Sequence, residues 1–249
     1  MVFQMIGTKN YIKKIIFEKI YKLADLTIVN SYKIKKKFNK YYKINPVHIY
    51  NPVDKKKILH LSCLGSKKIF KKERDLKIIS VGRLSEEKDH FTLLKSLKII
   101  KNKINFEVII LGSGELKSQL IKKIKNYKLK KDVKLIDYKL NPYPYIRQSD
   151  FLILSSIHEG LPNVLIEAII LKKFVISSNC ETGPNEILLN GKAGCLFKVK
   201  NPNDLANKIL FYYKNKKLRN KLIKNATNSS DRFDYKFNLQ KYYEILQNA

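Results

Sequence analysis

The sequence predicts an α/β fold built on a parallel sheet with helices on both faces. From residue 76 onward, short apolar runs alternate with segments of helical period, the pattern of consecutive βαβ units. Within those segments the apolar residues share a face, as Leu93, Leu97, Ile100 and Ile104 do. With 44% hydrophobic residues, 15 Tyr and 12 Phe, the 249-residue chain has material for a real core. At roughly 150 residues per domain it holds one large unit or two small ones.

Near the N-terminus Ile12, Ile15, Ile16, Ile20 and Leu23 recur at helical spacing. A short strand is predicted at 26–29, and Ser31 can cap a basic helix over 32–40. Another short strand, 47–50, ends at Asn51-Pro52. The lysine-rich stretch 55–74 has no sustained apolar period and is broken at Gly65 and Ser66, so it reads as a linker and excursion. Strands follow at 76–81, 106–111, 133–136, 151–154 and 174–177, with intervening helices that include 143–148, 162–171 and 184–189. Helices at 204–213, 216–226 and 235–246 close the chain. The expected organisation is a first unit at 1–53, a linker at 54–75, a main unit at 76–228 and a closing helix at 229–249.

The formal net charge is +30, yet the 51 basic residues include only five arginines. Base readout and bidentate phosphate capture favour Arg, which argues against a specific nucleic-acid reader. Abundant Lys, Asn and Ile read first as coding bias of an AT-rich genome and second as affinity for anionic lipid. No apolar run approaches the ~18 to 20 residues of a membrane span. Residues 1–9 lack the plan of a signal peptide. Cys63, Cys180 and Cys195 are widely spaced and odd in number, which fits free thiols in a reducing cytosol. Neither they nor the acidic residues form a metal-binding motif, so a metal-independent protein is expected.

A parallel sheet of this kind binds ligands beyond the carboxyl ends of its strands. Gly112-Ser113-Gly114 opens a helix as a dinucleotide fingerprint would, but its third glycine is replaced by Lys117. A tight turn that lets backbones approach closely explains it as well. The loop 82–89 places Arg83 and Lys88 five positions apart, where both can reach a diphosphate. The competing reading is a solvated loop in which Asp89 caps the next helix. Segment 155–168 is the most informative. Pro162 suits the first turn of a helix, leaving the backbone N–H groups of Asn163, Val164 and Leu165 as an anion site. Glu159 precedes that helix and Glu167 lies about one turn inside it, so the two carboxylates can address different parts of one extended ligand. Ser155 and Ser156 read as lining the turn, and His158 as a loop residue.

On these residues the chain resembles family 4 retaining glycosyltransferases of the GT-B fold. Glu159 and Glu167 match the family's Glu-x7-Glu motif; Gly82-Arg83-Leu84, Glu87-Lys88-Asp89, Asn51-Pro52-Val53-Asp54 and Gly183-Pro184-Asn185-Glu186 match as well. The run Asn141-Pro142-Tyr143-Pro144-Tyr145 is similar to the subgroup that builds lipid-linked oligosaccharides and O-antigen polysaccharides, including N-acetylgalactosaminyltransferases. The resemblance spans about residues 20 to 245. It implies one complete Rossmann-like domain plus the tail of an acceptor domain at 1–53.

The resemblance also implies roles. Arg83 and Lys88, with Gly82 beside them, would hold the diphosphate of a UDP-sugar donor, Glu159 its sugar hydroxyls and Glu167 its ribose. Backbone at Asn163, Val164 and Leu165 would meet the sugar and distal phosphate, and Leu135 and Ile136 the base. Asp137 stands where glycine is common, a departure that touches the base site. The implied acceptor is lipid-linked saccharide or polysaccharide, handled in the cytoplasm at the cytosolic face of the inner membrane, in peripheral contact with anionic lipid. Relatives carry an upstream domain with a glycine-rich acceptor loop and a catalytic His. The expectation is therefore a natural fragment, a decayed gene product, or half of a split enzyme whose N-terminal half is encoded separately.

Overall fold

The computed structural model describes residues 11–65 and 68–247, with side chains from residue 16 onward; the signal-peptide reading at 1–9 and the side chains of Ile12 and Ile15 lie outside the described residues. The main unit is a six-stranded parallel sheet in the order β5-β4-β3-β6-β7-β8. Its strands are β3 (Leu76–Val81), β4 (Phe106–Leu111), β5 (Val133–Ile136), β6 (Phe151–Leu154), β7 (Phe174–Ser178) and β8 (Cys195–Phe197). Four of the five predicted strands match to the residue, and β7 runs one residue further.

Because successive strand residues point to opposite faces, neighbours such as Ile78 and Ile79 enter different cores. On one face Ile78, Ile110 and Ile153 pack with Leu93 and Leu97 of α4 (His90–Ile100), Leu120 of α5 (Lys117–Asn126) and Ile209 of α9 (Pro202–Lys214). On the other, Ile79, Leu152 and Val175 pack with Leu165 and Ile169 of α7 (Asn163–Ile170), Ile146 of α6 (Tyr143–Gln148) and Ala226 of α10 (Lys216–Asn228). A sheet covered on both faces needs near-continuous apolar strands, and β6 and β7 are buried throughout.

The small unit pairs β1 (Ile28–Val29) with β2 (Val47–His48) in parallel, flanked by α1 (Tyr11–Lys22) and α2 (Tyr32–Tyr42). Together these four elements make a small α/β unit of their own. Ile16, Ile20 and Leu23 of α1 are 50%, 52% and 84% exposed.

The strands predicted at 26–29 and 47–50 are two residues each, and the helix predicted at 184–189 ends at Ile187. Two further elements differ from expectation. The stretch predicted as linker contains a helix, α3 (Lys55–Cys63), capped by Asp54, whose carboxylate accepts from the Lys57 N–H at 2.9 Å. Only Ile58 and Ser62 on it are buried, so its apolar stripe is too narrow to register as a period. The strand β8 escaped prediction because three residues give no alternation to read; it is recruited by pairing with β7, Ile176 opposite Cys195.

The joint between the units also corrects a cap assignment. Ser31 occupies the N-cap of α2 but makes no side-chain cap bond. Its hydroxyl donates instead to Glu186 at 2.7 Å, and Glu186 itself caps the helix, accepting from the Tyr32 N–H at 3.0 Å. Glu186 follows Gly183 in α8 (Pro184–Ile187) and also takes the Tyr50 hydroxyl at 2.9 Å. Burial alone would raise its pKa; the hydrogen bonds from Ser31, the Tyr32 amide, Tyr50 and the Lys33 amide outweigh that and hold it below the usual carboxylate range. A carboxylate at a helix N-terminus also complements the dipole. Arg232 donates to the Glu186 and Ile187 carbonyls and lies over the Phe233 ring at 4.6 Å, closing the joint from the C-terminal side. Asp234 and Val53 then form an isolated parallel bridge ahead of α11 (Tyr235–Gln247).

Glu186→Ala leaves the Ser31 and Tyr50 hydroxyls and the first turn of α2 without their shared acceptor. A destabilisation of about 2 to 3 kcal/mol is expected, measured by urea denaturation. Since the folded pKa is depressed, the stabilisation from Glu186 is present above about pH 4.5 and is lost as pH falls through the folded value. The variant should lack that acid-side loss; an unchanged acid profile would contradict the assignment.

Candidate functional site

Between β3 and β6 the strand order reverses: the chain winds from β3 to β4 and β5 on one side, then to β6, β7 and β8 on the other. Loops from the two central strands therefore diverge and open a crevice, the place where such sheets bind ligands. Lys88, from the loop after β3, reaches Glu159, from the loop after β6, with Nζ to Oε1 at 2.5 Å. The Ser156 hydroxyl donates to the same oxygen at 2.6 Å.

Backbone contacts fix both loops. The Ile157 N–H donates to the Glu87 carbonyl at 2.7 Å and the Ser155 hydroxyl to the Lys88 carbonyl at 2.9 Å. The Thr182 hydroxyl donates to the Glu159 carbonyl, and the Ser178 hydroxyl to that of Ser156 at 2.5 Å. Ser155 and Ser156 thus line the turn as expected. His158 is exposed. Gly183, at φ +81°, lies so close to Gly160 that a Cβ there would overlap the Gly160 carbonyl oxygen. The Glu186 joint and the Glu159 loop are therefore packed together.

Arg83 is exposed at the mouth of the crevice, but its backbone is held. The buried His90 has its pKa pushed down to about 4, mainly by burial. The neutral ring donates from Nε2 to the Arg83 carbonyl at 3.2 Å. Across from it, a Cβ on Gly112 would overlap the Gly82 carbonyl oxygen, and the Leu84 N–H donates to the Ser113 carbonyl at 2.9 Å. The Gly-Ser-Gly turn is accounted for by this close approach of two loops. Asp89 accepts from the Thr92 N–H at 3.1 Å and its hydroxyl at 2.6 Å, so it caps α4 as the structural reading of that loop anticipated.

Helix α7 begins at Asn163, one residue later than predicted, with Pro162 at its cap. The Leu165 N–H donates to the Pro162 carbonyl at 3.1 Å, so this amide is not the free donor expected from sequence, and the Leu165 side chain is buried. Asn163 and Val164 stand at the open end of the helix, Asn163 exposed. One turn on, Glu167 hydrogen-bonds Tyr143. Burial raises the Glu167 pKa to about 7, against the lowering effect of that bond. Tyr143 is pushed up to about 12, by burial first and then by the neighbouring Glu167.

Leu135 and Ile136 end β5 and are half-buried. With β4 between them and β3, they lie roughly two strand spacings, about 10 Å, from the Lys88–Glu159 side of the crevice. Just beyond, Asp137 pairs with Lys117 at 2.5 Å, and the Tyr138 N–H donates to the Ser113 hydroxyl at 3.2 Å, leaving the Tyr138 side chain exposed. Sequence reasoning assigned no role to Thr182 or His90 around these groups, and it did not foresee the bond from Ser156 to Glu159. Each acts through a single contact that no spacing announces. Among the described residues no group of three or more His, Cys, Asp or Glu could hold a metal ion, and no helix is long and apolar enough to cross a membrane. All three cysteines are unpaired.

The family model for group 1 glycosyl transferases matches residues 65–229, more than half of the chain. Over 180 residues the chain is 37% identical to the uncharacterized glycosyltransferase MJ1059 of Methanocaldococcus jannaschii, covering 69% of this chain and 44% of that protein. It is 29% identical over 227 residues to a Campylobacter jejuni enzyme, N-acetylgalactosamine-N,N'-diacetylbacillosaminyl-diphospho-undecaprenol 4-alpha-N-acetylgalactosaminyltransferase, covering 90% of this chain and 60% of that one. The chain thus spans about half the length of these relatives. Among solved structures, a glycosyltransferase from Rickettsia africae aligns with a TM-score of 0.82 at 21% identity, over 99% of this chain and 68% of that one. Anabaena Alr3699/HepE in complex with UDP and glucose aligns with a TM-score of 0.80 at 19% identity, over 95% and 67%. The fold is that of GT-B glycosyltransferases.

Folded Glu167 keeps its proton to about pH 7, whereas the unfolded chain releases it near 4.5. Between those values the folded state binds more protons, so this group makes stability fall as pH rises. His90 acts oppositely, since its folded pKa of about 4 lies below the usual 6.5. The difference between Glu167→Gln and the parent isolates the first effect: urea denaturation from about pH 4.5 to 7 should show that decline in the parent and not in the variant. Equal pH slopes in the two proteins would refute the assignment.

Proposed function

Because the chain belongs to the group 1 glycosyl transferases, we propose that it transfers a hexose or N-acetylhexosamine, with retention, from a UDP-sugar to a lipid-linked saccharide or polysaccharide. The observation that carries this reading is the meeting of Lys88 and Glu159 at the crevice between β3 and β6, beside the open end of α7. The UDP and glucose bound by HepE support the donor class. The diphospho-undecaprenol named for the Campylobacter relative supports a lipid-linked acceptor.

In this reading Arg83 and Lys88 hold the donor diphosphate, with Gly82 packed under the Lys88 stem and the backbone at Asn163 and Val164 completing the anion site. Glu159 takes the sugar hydroxyls and is kept in place by Ser156 and Lys88. Glu167, braced by Tyr143, takes the ribose, and Leu135 and Ile136 flank the base. The bond from the anomeric carbon to the phosphate oxygen breaks while the acceptor oxygen bonds to the same face of that carbon. The acceptor proton passes to the departing diphosphate, so no protein nucleophile is required. The charge that builds on the leaving group falls to two cations and a helix N-terminus, which are suited to it without a metal ion.

We further assign residues 1–53 to an acceptor domain and 76–228 to the donor domain, joined by 54–75 and closed by 229–249. The exposed Ile16, Ile20 and Leu23 offer the rest of an acceptor domain an apolar face. The net charge of +30 favours peripheral contact with anionic lipid at the cytosolic face of the inner membrane. A second reading is nucleotide-sugar binding without transfer by this chain alone. It is favoured because the donor-binding residues all lie within the main unit.

Arg83→Ala should weaken UDP binding far more than uridine binding in calorimetric titrations, and lower turnover of the assembled enzyme by about 10²- to 10³-fold. Equal losses for the two ligands would remove Arg83 from the diphosphate site. Donor binding should persist in EDTA; strict dependence on added manganese or magnesium would contradict the cationic site. Radiolabelled UDP-sugars incubated with residues 1–249 and a membrane lipid extract should give transfer only when a complementing acceptor domain is co-expressed. Acceptor positioning supplies a large part of the rate. Robust transfer by the chain alone would dismiss the need for that partner.

A further inference from the structure

We propose that Asn51 is a positioning residue: it fixes the side-chain amide of Asn163 so that the NH2 group, and not the carbonyl oxygen, is presented to the donor diphosphate. This rests on the reading of the α7 N-terminus as part of the donor site.

Asn51 follows β2 in the segment that joins the two units. Its Nδ2 lies 2.7 Å from Asn163 Oδ1 and 3.4 Å from the Leu161 carbonyl oxygen, and its Oδ1 accepts from Asn30 Nδ2 at 3.1 Å. Amide orientations of this kind follow from their partners, and here one partner is unambiguous. A backbone carbonyl can only accept, so the NH2 of Asn51 must face Leu161. Asn51 can then only donate to Asn163, and Asn163 must turn its oxygen inward to receive that bond.

Asn163 is the exposed first residue of α7. With its oxygen held by Asn51, the group left for a ligand is the NH2. It adds a donor to an end already made favourable for anions by free backbone amides and the helix dipole. The opposite orientation would set a carbonyl oxygen against phosphate oxygens. The relay starts at Asn30, next to the Ser31 that Glu186 anchors. The seating of the small unit on the large one therefore decides which end of Asn163 meets the donor.

The test is Asn51→Asp in the full chain, with UDP and uridine titrated calorimetrically. A carboxylate accepts but does not donate, so it draws the Asn163 NH2 inward and turns the oxygen out. UDP binding should weaken by about 10- to 100-fold, the scale of a lost hydrogen bond to a charged group. Uridine binding, which reports that the base site is folded, should change less than about threefold. In an Asn163→Ala chain the added Asn51→Asp change should cost UDP less than about threefold, because no amide remains to turn. Equal losses for UDP and uridine, or the same UDP loss in both backgrounds, would overturn the proposal, the second by showing that the new charge acts alone. Should Asn51→Asp not fold, Asn51→Ala serves: freeing the amide should weaken UDP about two- to fivefold with uridine unaffected, and unchanged UDP binding refutes the role. If the unaltered chain fails to bind UDP, the proposed donor falls and this inference with it; if it binds UDP and only the Asn51 results fail, the proposed function stands.

Discussion

At the joint between the two units of this protein one carboxylate gathers four hydrogen bonds. Glu186, half-buried, accepts from the Ser31 hydroxyl, the first amides of α2 and the Tyr50 hydroxyl, all belonging to the small unit, while sitting in α8 just beyond the loop after β7 of the large one. The same loop places Thr182 on the Glu159 carbonyl and Gly183 against Gly160. One stretch of backbone thus serves the inter-unit joint and the crevice together. Leaving such a carboxylate without its donors would cost its full desolvation, which makes the arrangement all-or-none in character.

The crevice is organised by local pairing within a very basic surface. A charge of +30 spread over mobile lysine side chains is screened by salt over about 10 Å and carries little geometric information. Lys88 differs because its ammonium is held on a carboxylate that is 9% exposed, at the divergence of two loops. Glu167 differs in another way: burial against Tyr143 raises its pKa to about 7, so it can meet a hydroxyl as donor or acceptor near neutrality. The two carboxylates of the Glu-x7-Glu pair are therefore in distinct electrostatic states, one ion-paired and one close to its titration point.

What could be read from the sequence follows from repetition. Strands at 106–111 and 151–154 and the faces of the long helices repeat one physical demand over many residues, so period and composition expose them. The loop carrying Glu159 was legible because Pro162 and the two carboxylates coincide within a dozen positions. Helix α3 was not, since Ile58 and Ser62 are the only buried side chains on it and two positions make no period. Strand β8 was not, since its three residues become a strand only through pairing with β7. The cap of α2 was misread because a serine in the right place is the ordinary signal, and the group that displaced it lies 155 residues away.

The sequence by itself determined the alternating α/β plan and the sheet that buries both faces. Hydrophobic periodicity and turn composition are local properties that survive without a partner. Only the tertiary structure decided that Lys88 meets Glu159, that Glu186 caps α2, that Leu165 spends its amide on Pro162 and that Asn51 turns Asn163. Each of these depends on the distance and orientation of groups brought together by packing. Hydrogen bonds reward a few tenths of an ångström that no sequence spacing encodes.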